Sequence, residues 1–321
     1  PQLAGNRARI YQLGSCIKKL GHSFHIAHVQ FENGDKAMMQ ECWDDGSYSD
    51  IPYSKPNRLF DRIRRKVLKL INSDSKYTSR IDTWYDESID GYLMTLHQRF
   101  NFDAVIVEYV FFSKALLCFP DSVKKIIDTH DVMTNRHKTQ TDRGKVYNWF
   151  STTASQERKG LRRANTIIAI QDREKDFFSR LCQKEVVTVG HVVKTVEAKS
   201  LTPPKGRILF IGSANQTKID AIRCFIDQIF PMIRHAVPEA KLFIAGPVGS
   251  LFLPMIEHLV DLGEPACLDE IYGQADMVVN PIRFGTGLKI KNMEALGYAK
   301  PLVTTTVGAE GIEAGIDTAF R

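Results

Sequence analysis

The sequence predicts an α/β protein of two domains, each with a parallel sheet covered by helices, with the two sheets facing each other across a cleft. Short apolar runs alternate with helical patterns along the whole chain, which is the order of elements in an α/β fold. The apolar runs are continuous, as in strands that are buried on both faces. A length of 321 residues exceeds what one ordinary core holds, which favours two domains.

The first predicted domain covers residues 1–196. Helical patterns at 88–100 and 171–181 lie between its apolar runs, so consecutive strands are expected to run parallel. The predicted strands are HIAHVQF (25–31), DAVIVEYV (103–110), KKIIDTH (124–130), NTIIAI (165–170) and EVVTVGHVV (185–193).

The second predicted domain covers residues 207–321 and follows a linker at 197–206. The linker is polar and contains two adjacent prolines, which is typical of a domain boundary. A helical stretch at 220–236 contains Pro231, which predicts a break or kink. The predicted strands are RILFIG (207–212), KLFIAG (241–246), DMVVNP (276–281) and PLVTTT (301–306).

Composition limits the class of protein. The net charge of +6 is too small to indicate nucleic acid, but it suits an anionic small ligand or an anionic membrane surface. The six cysteines are scattered singly, which predicts neither a zinc site nor a disulfide framework and favours the cytoplasm. No apolar run reaches the roughly 18 residues of a membrane span, and no secretory signal is visible. No Asp-x-Asp triplet is present to hold a metal, so no metal and no cofactor are predicted.

The stretch PIRFGTGLKIKNMEALG (281–297) predicts a glycine-rich turn between a strand and a helix. Glycines allow close approach of the backbone to a ligand, and the N–H groups of a helix's first turn attract an anion. At about 100° per residue, Gly287, Lys291 and Glu294 share one helix face, whereas Lys289 points away from it. Phosphate, cation and ribose diol follow in this order along a nucleoside diphosphate. A tight turn capped by Thr286, with a solvated Lys–Glu pair, is the alternative.

Residues 281–312, PIRFGTGLKIKNMEALGYAKPLVTTTVGAEGI, resemble the donor-binding signature of GT-B-fold retaining glycosyltransferases, of the type called glycosyl transferases group 1. Looser similarity covers nearly the whole chain, including AGNRARIYQLGSCIKKLGHSFHIAHV and IIDTHDVMTNR. The resemblance implies two Rossmann-like domains that face each other across a cleft. It also implies metal-independent transfer of a sugar from a nucleotide diphosphate donor, with retention of configuration, to a saccharide or lipid-linked acceptor, as in polysaccharide biosynthesis.

The resemblance also implies roles for individual residues. Glu294 is expected to bind the ribose. His130 and Asp131 are the expected catalytic residues, at a strand end beside the transferred sugar. Gly5 is expected in the loop after a first strand. The residues expected to bind the donor diphosphate are Gly5, Arg7, Ser213, Lys218, Gly285, Thr286, Gly287 and Lys291.

The chain departs from the family pattern in two places. The family often carries Glu-x7-Glu, but here Thr286 takes the place of the first acid, which puts the identity of the bound sugar in doubt. An Arg/Lys pair usually follows the FIG strand, and here only Lys218 is a candidate. We also expect a strand before residue 1 and further chain after residue 321.

Two other functions remain open. One is a non-catalytic relative that binds a nucleotide sugar. The other is an NAD-dependent dehydrogenase, which the run GTGLKI suggests. This sequence, however, lacks the third glycine and the ribose-binding acid of the dinucleotide-binding motif. His191 also ends a predicted strand and is a candidate to line the cleft.

Residues 57–71, NRLFDRIRRKVLKLI, form a strongly amphipathic pattern. An arc of leucines, isoleucines, valine and phenylalanine opposes an arc of arginines and lysines. A helix that packs on its own domain with a solvated basic face is one interpretation. The other is an interfacial helix on an anionic membrane, which predicts a peripheral location on the inner face of the membrane.

Overall fold

The structure is a computed structural model that describes residues 5–31, 36–43, 46–54, 63, 67, 74–142, 144, 147–197, 206–252, 258–265, 267–285 and 287–320. The chain divides into two compact units, a first of Cys16–Gly190 and a second of Gln2–Ser15 with His191–Arg321. This division falls a few residues before the predicted linker, and it assigns the first turns of the N-terminal helix to the second unit.

The first unit contains a four-stranded parallel sheet and a separate parallel pair of strands, β1 with β2. The sheet has the order β3-β4-β5-β6, and its strands match the four later predicted runs. The polar strand β2 was not predicted. The strands are β1 (Ile26–Val29), β2 (Tyr48–Ile51), β3 (Ala104–Glu108), β4 (Lys124–Asp128), β5 (Thr166–Ala169) and β6 (Glu185–Thr188).

The core of the first unit forms around β4 and β5, whose inward residues Ile127 and Ile167 are fully buried. A 3₁₀ segment, Val110–Cys118, packs its apolar residues into the same core. The helices are α1 (Gly5–Lys19), which begins in the second unit, and α2 (Lys36–Cys42), α3 (Ile89–Phe100), α4 (Lys138–Thr141), α5 (Ala154–Leu161) and α6 (Asp172–Cys182).

The second unit has a five-stranded sheet of order β11-β10-β7-β8-β9, in which every recorded pairing is parallel. Strand β7 buries Ile208 and Phe210 on one face of the sheet and Leu209 and Ile211 on the other, which confirms the prediction from its continuous apolar run. Strand β9 was not predicted, because its apolar residues are interrupted by Asp261. The strands are β7 (Arg207–Ile211), β8 (Lys241–Ala245), β9 (Leu259–Gly263), β10 (Met277–Asn280) and β11 (Leu302–Thr304).

The predicted helical stretch around Pro231 is helical but interrupted. A π-helical turn, Phe225–Ile229, separates α7 from α8, and Pro231 lies in the first turn of α8. Proline has no N–H and its ring crowds the preceding turn, so widening that turn relieves the conflict. The helices of this unit are α7 (Gln216–Cys224), α8 (Phe230–Ala236), α9 (Leu268–Gln274) and α10 (Ile290–Gly297).

Candidate functional site

The strand order of the second unit creates a crevice at the carboxyl ends of β7 and β10. From β7 the chain continues to β8 on one side, whereas β10 lies on the other side of β7. At such a switch point the connections leave in opposite directions, and ligands of open α/β sheets bind there. Ser213 follows β7 and the glycine-rich turn follows β10. The topology therefore brings these two predicted segments to one edge of the sheet.

The glycine-rich turn has a backbone that requires glycine. Gly285 and Gly287 have φ angles of 124° and 78°, a region that side chains with a Cβ rarely adopt. Buried side chains of Ile282 and Phe284 anchor the turn to the unit. Helix α10 begins three residues after Gly287, so its first N–H groups lie beside the turn. Thr286 lies outside the described residues.

A buried amide network holds α10 against the sheet. Asn292 is fully buried, and its Oδ1 accepts a hydrogen bond from Asn280 Nδ2 at 2.6 Å. Its Nδ2 donates to the Gly308 carbonyl at 2.9 Å and to Thr304 Oγ1 at 3.3 Å. The sequence analysis missed this residue, although an asparagine on the apolar face of a predicted helix was a usable signal, since a buried amide must be bonded.

Glu294 has one carboxylate oxygen fixed by the protein. Its Oε2 accepts hydrogen bonds from Lys291 Nζ at 2.7 Å and from Tyr272 Oη at 3.1 Å, and the residue is 6% exposed. Tyr272 in turn stacks on Tyr298 at 4.4 Å between ring centroids. No hydrogen bond from the described residues is recorded for Oε1. Oε2 is thus held by two hydrogen bonds, and among the described residues Oε1 is left to accept hydrogen bonds from hydroxyl groups.

Three lysines gather near Glu294. The pKa of Lys218 is lowered to about 7, mainly by burial and also by the charges of Lys289 and Lys291, while Glu294 opposes the shift. Lys289 therefore lies close to the cluster, although the helical-wheel analysis placed it on another face. The reason is that Lys289 precedes the first residue of α10, so helical spacing does not apply to it. Its Nζ donates to the Gly287 carbonyl and lies 3.6 Å from Glu310.

The start of α1 contributes to the same region of the second unit. A Cβ on Gly5 would lie 3.2 Å from Cδ1 of Ile290, the first residue of α10. The two helices therefore begin beside each other, which concentrates their N-terminal partial positive charges. Gly5 is the first residue of α1, where the resemblance implied a loop. Arg7 is exposed, whereas Arg9, which the sequence analysis missed, is 2% exposed.

The charges of Arg9 and Lys291 both lower the pKa of His191. Its pKa is lowered to about 4, mainly by burial and also by the two cations.

Ser213 is exposed and its Oγ accepts a hydrogen bond from Asn215 Nδ2 at 3.0 Å. Asn215 also caps α7, since its Oδ1 accepts from the Lys218 backbone N–H at 3.0 Å. The cap fixes the start of the helix that carries Lys218.

His130 lies in the first unit, after β4. Its φ is 58°, its ring stacks on Tyr109 at 4.4 Å, and its Nε2 bonds Glu108 Oε2 at 2.5 Å. Asp128 lies 4.0 Å from the same nitrogen. Among the described residues, Glu108, Asp128 and His130 form a group whose potential metal-ligating atoms lie within 4.8 Å of one another. The sequence analysis did not identify this group, because its members come from two neighbouring strand ends.

Asp131 has contacts that hold the loop after His130. Its Oδ2 pairs with Arg136 at 2.5 Å and its Oδ1 accepts the Val132 N–H at 2.9 Å. The fully buried Glu157 accepts the N–H groups of Met133 and Thr134, both at 2.8 Å. Burial raises the pKa of Glu157 to about 7, against these hydrogen bonds. The catalytic roles expected of His130 and Asp131 stay predictions.

Similar folds are found in several solved structures. A TarM mutant from S. aureus, in complex with Fondaparinux, alpha-GlcNAc-glycerol and UDP, has a TM-score of 0.62 at 11% identity and covers 95% of this chain and 84% of that one. Sucrose-phosphate synthase from Thermosynechococcus elongatus has a TM-score of 0.63 at 12% identity, over 96% and 77%. HepE from Anabaena, in complex with UDP, has a TM-score of 0.60 at 11% identity, over 98% and 80%. The fold is that of GT-B glycosyltransferases, with two Rossmann-like units.

Residues 205–320 match the family described as Glycosyl transferases group 1, which confirms the resemblance predicted from the sequence. A curated relative, the uncharacterized 44.6 kDa protein in the cps region of Klebsiella pneumoniae, is 22% identical over 116 residues. This match covers 32% of the present chain and 30% of the relative. Among the described helices, none has both the length and the apolar character needed to cross a membrane.

Of the predicted membrane-contacting segment at 57–71, the structure describes residues 63 and 67. Both are helical, and the side chains of Ile63 and Val67 are 50% and 52% exposed. The remaining residues of the segment lie outside the described part of the chain. Contact with a membrane therefore stays a prediction.

Proposed function

We propose that this chain is a glycosyltransferase that moves a sugar from a nucleoside diphosphate donor to a saccharide or lipid-linked acceptor. The observation that carries the proposal is Glu294, a buried carboxylate whose Oε2 is fixed by Lys291 and Tyr272. It lies near three lysines and a glycine-rich turn at the switch point of the sheet. These groups match, in order, the ribose diol and the diphosphate of such a donor. The family match over residues 205–320 covers the same region.

The proposed binding mode assigns one part of the donor to each feature. The diphosphate lies at the turn of Gly285 and Gly287 and at the start of α10, where N–H groups and the helix dipole favour an anion. Lys218, Lys289 and Lys291 neutralise it, and Glu294 Oε1 accepts hydrogen bonds from the ribose hydroxyls. The TarM and HepE structures contain UDP, so uracil is the first base to test.

The same groups support the chemical step of the proposal. The bond between the sugar's anomeric carbon and the diphosphate oxygen breaks while the acceptor oxygen bonds to that carbon from the same side, which retains configuration. The acceptor's proton passes to the departing phosphate. Negative charge develops on the diphosphate, so fixed cations and N–H groups there stabilise the transition state more than the ground state. In this proposal His130 acts at the transferred sugar, with Asp131 holding its loop.

Metal independence is part of the proposal. Lysine side chains and two helix N-termini supply the positive charge that a divalent cation supplies in other transferases. Activity is expected to persist in excess EDTA. Loss of activity in EDTA, with recovery on adding Mn²⁺ or Mg²⁺, would overturn this part and direct attention to Glu108, Asp128 and His130.

The second candidate function is a protein that binds a nucleotide sugar without transferring it. It is favoured by the sequence at residue 286, where threonine takes the place of the family's sugar-contacting acid. Turnover of the donor separates the two functions. Release of nucleoside diphosphate from UDP-sugars or GDP-sugars with an acceptor mixture supports the transferase, and binding without release supports the second function.

Nucleotide binding is the first experiment. The thermal shift of the wild type and of Glu294→Ala is measured with UDP, GDP, ADP and NAD, without metal. We expect one diphosphate to stabilise the wild type and to lose most of this effect in the variant. Glu239→Ala, a change at an exposed glutamate of the same unit, is the matched control and is expected to behave as wild type. A wild type that none of the diphosphates stabilises would refute the proposed donor site.

A further inference from the structure

His191 carries a buried polar atom that is not satisfied by the described residues. The residue follows β6, at the start of the second unit's main segment, and is 8% exposed. Its Nδ1 is buried and has no hydrogen-bond partner among the described residues. Leaving a buried donor or acceptor unbonded costs free energy, so such atoms in native proteins usually meet a ligand or water.

The segment that follows His191 packs against the C-terminal end of α10. There the Val196 N–H donates to the Gly297 carbonyl at 2.8 Å. A Cβ on Gly297 would lie 2.5 Å from the Lys194 carbonyl oxygen. Because this contact is so close, the segment and α10 form one packed piece. The segment that begins with His191 therefore packs on the helix that carries Lys291, whose charge acts on the imidazole.

The charges around His191 indicate the kind of group that satisfies it. Burial lowers its pKa to about 4, and Arg9 and Lys291 contribute to this shift. The imidazole is therefore neutral at neutral pH and retains one N–H donor. A donor next to two cations suits an anionic oxygen, whereas a cationic ligand would be repelled. The same two cations attract the anion.

We propose that His191 is a further phosphate-binding residue, which donates a hydrogen bond from its neutral imidazole to a phosphate oxygen of the nucleoside diphosphate. The inference rests on the proposed function, because it adds one group to the proposed donor site. A neutral hydrogen-bond donor orients the phosphate oxygen without adding another buried charge to the site. It also stabilises the departing diphosphate, where negative charge develops during transfer.

The test compares binding of each nucleoside diphosphate with binding of its nucleoside, by calorimetry or competition. The variants are His191→Leu, which removes the donor, and His191→Asn, whose amide N–H₂ replaces Nδ1. We expect His191→Leu to weaken diphosphate binding by about tenfold to one-hundredfold, the range for a hydrogen bond to a charged group. Nucleoside binding is expected to stay unchanged, and His191→Asn is expected to recover most of the loss. His235→Leu, a change at an exposed histidine of the same unit, is the control and is expected to change neither.

A stability measurement separates ligand binding from folding. Nδ1 has no hydrogen bond to lose among the residues that the structure describes, so the unliganded His191→Leu protein is expected to melt no lower than the wild type. A lower Tm with equal losses for nucleoside and diphosphate would show a structural role and overturn the inference. Wild-type affinity for the diphosphate in His191→Leu would overturn it and leave the proposed function intact. Absence of diphosphate binding in the wild type would overturn both.

Discussion

If the proposed donor site is correct, Lys218 is expected to make binding of the donor depend on pH, and one substitution is expected to remove this dependence. Burial and the neighbouring charges of Lys289 and Lys291 lower its pKa to about 7. Half of the free protein therefore carries an uncharged amine at that pH. A bound diphosphate is an opposite charge, which raises the pKa and favours the ammonium form. Binding is therefore coupled to uptake of a proton.

The size of the effect follows from the pKa. The charged fraction of Lys218 is about one half at pH 7, about one tenth at pH 8 and about one hundredth at pH 9. If only the charged form binds, the Kd for the diphosphate rises about fivefold from pH 7 to pH 8 and about fiftyfold from pH 7 to pH 9. The terminal phosphate itself loses its last proton near pH 6. Above pH 7 the change of Kd with pH therefore reports mainly the titration of Lys218.

Titration calorimetry between pH 7 and pH 9 measures this dependence directly. Lys218→Arg is the matched variant, because a guanidinium stays charged over the whole range. At pH 7, measurements in two buffers of different ionisation enthalpy are expected to show uptake of about half a proton by the wild type and none by the variant. A wild type whose Kd changes no more steeply with pH than that of Lys218→Arg would refute the reasoning.

Three further predictions concern stability and the first unit. The pKa of Glu157 is raised from 4.5 to about 7, so the folded protein keeps a proton that the unfolded chain releases near pH 4.5. The free energy of unfolding is expected to fall as pH rises between these values, by at most about 3.5 kcal/mol. Glu157→Gln is expected to flatten this slope in urea titrations. Gly297→Ala brings a Cβ against a backbone oxygen and is expected to lower the free energy of unfolding by about 1–3 kcal/mol. Gly273→Ala, whose Cβ meets nothing within 4 Å, is expected to leave the free energy of unfolding unchanged or to raise it by about 0.5–1 kcal/mol. Equal Tm values for the two variants would contradict the packing at Gly297. Glu108→Gln removes the anionic partner of His130 and is expected to lower the pKa of that imidazole in NMR titrations, and an unchanged pKa would show that the contact does not form in solution.

Much of this fold is predictable because its signals are local. Continuous apolar runs predicted nine strands that the structure contains, and proline predicted the interruption at the π-helical turn. The Lys291–Glu294 pair also followed from sequence, because a spacing of three residues on a helix brings side chains together. Each of these inferences needs only a few neighbouring residues.

The missed parts of the site depend on contacts between distant segments. Arg9 was not identified, whereas His191 was named only as a candidate to line the cleft. The two residues lie 182 positions apart in the sequence, and only the folded unit shows that Arg9 and Lys291 lie near His191. Lys289 was misplaced because helical spacing was applied to a residue that precedes the helix. Glu157 was not identified from the sequence, because its burial and its hydrogen bonds to the loop after His130 depend on tertiary structure.

The buried pair of Asn280 and Asn292 has a consequence for the comparison of distant relatives. An amide has one accepting and one donating end, and Asn292 uses both, towards Asn280 on one side and Gly308 on the other. Loss of either asparagine alone leaves the buried amide group of the other without its hydrogen-bond partner. The two positions are therefore expected to change together over evolution. At identities of 11–12%, a relative that carries both residues, twelve positions apart, is expected to align with this chain at that pair.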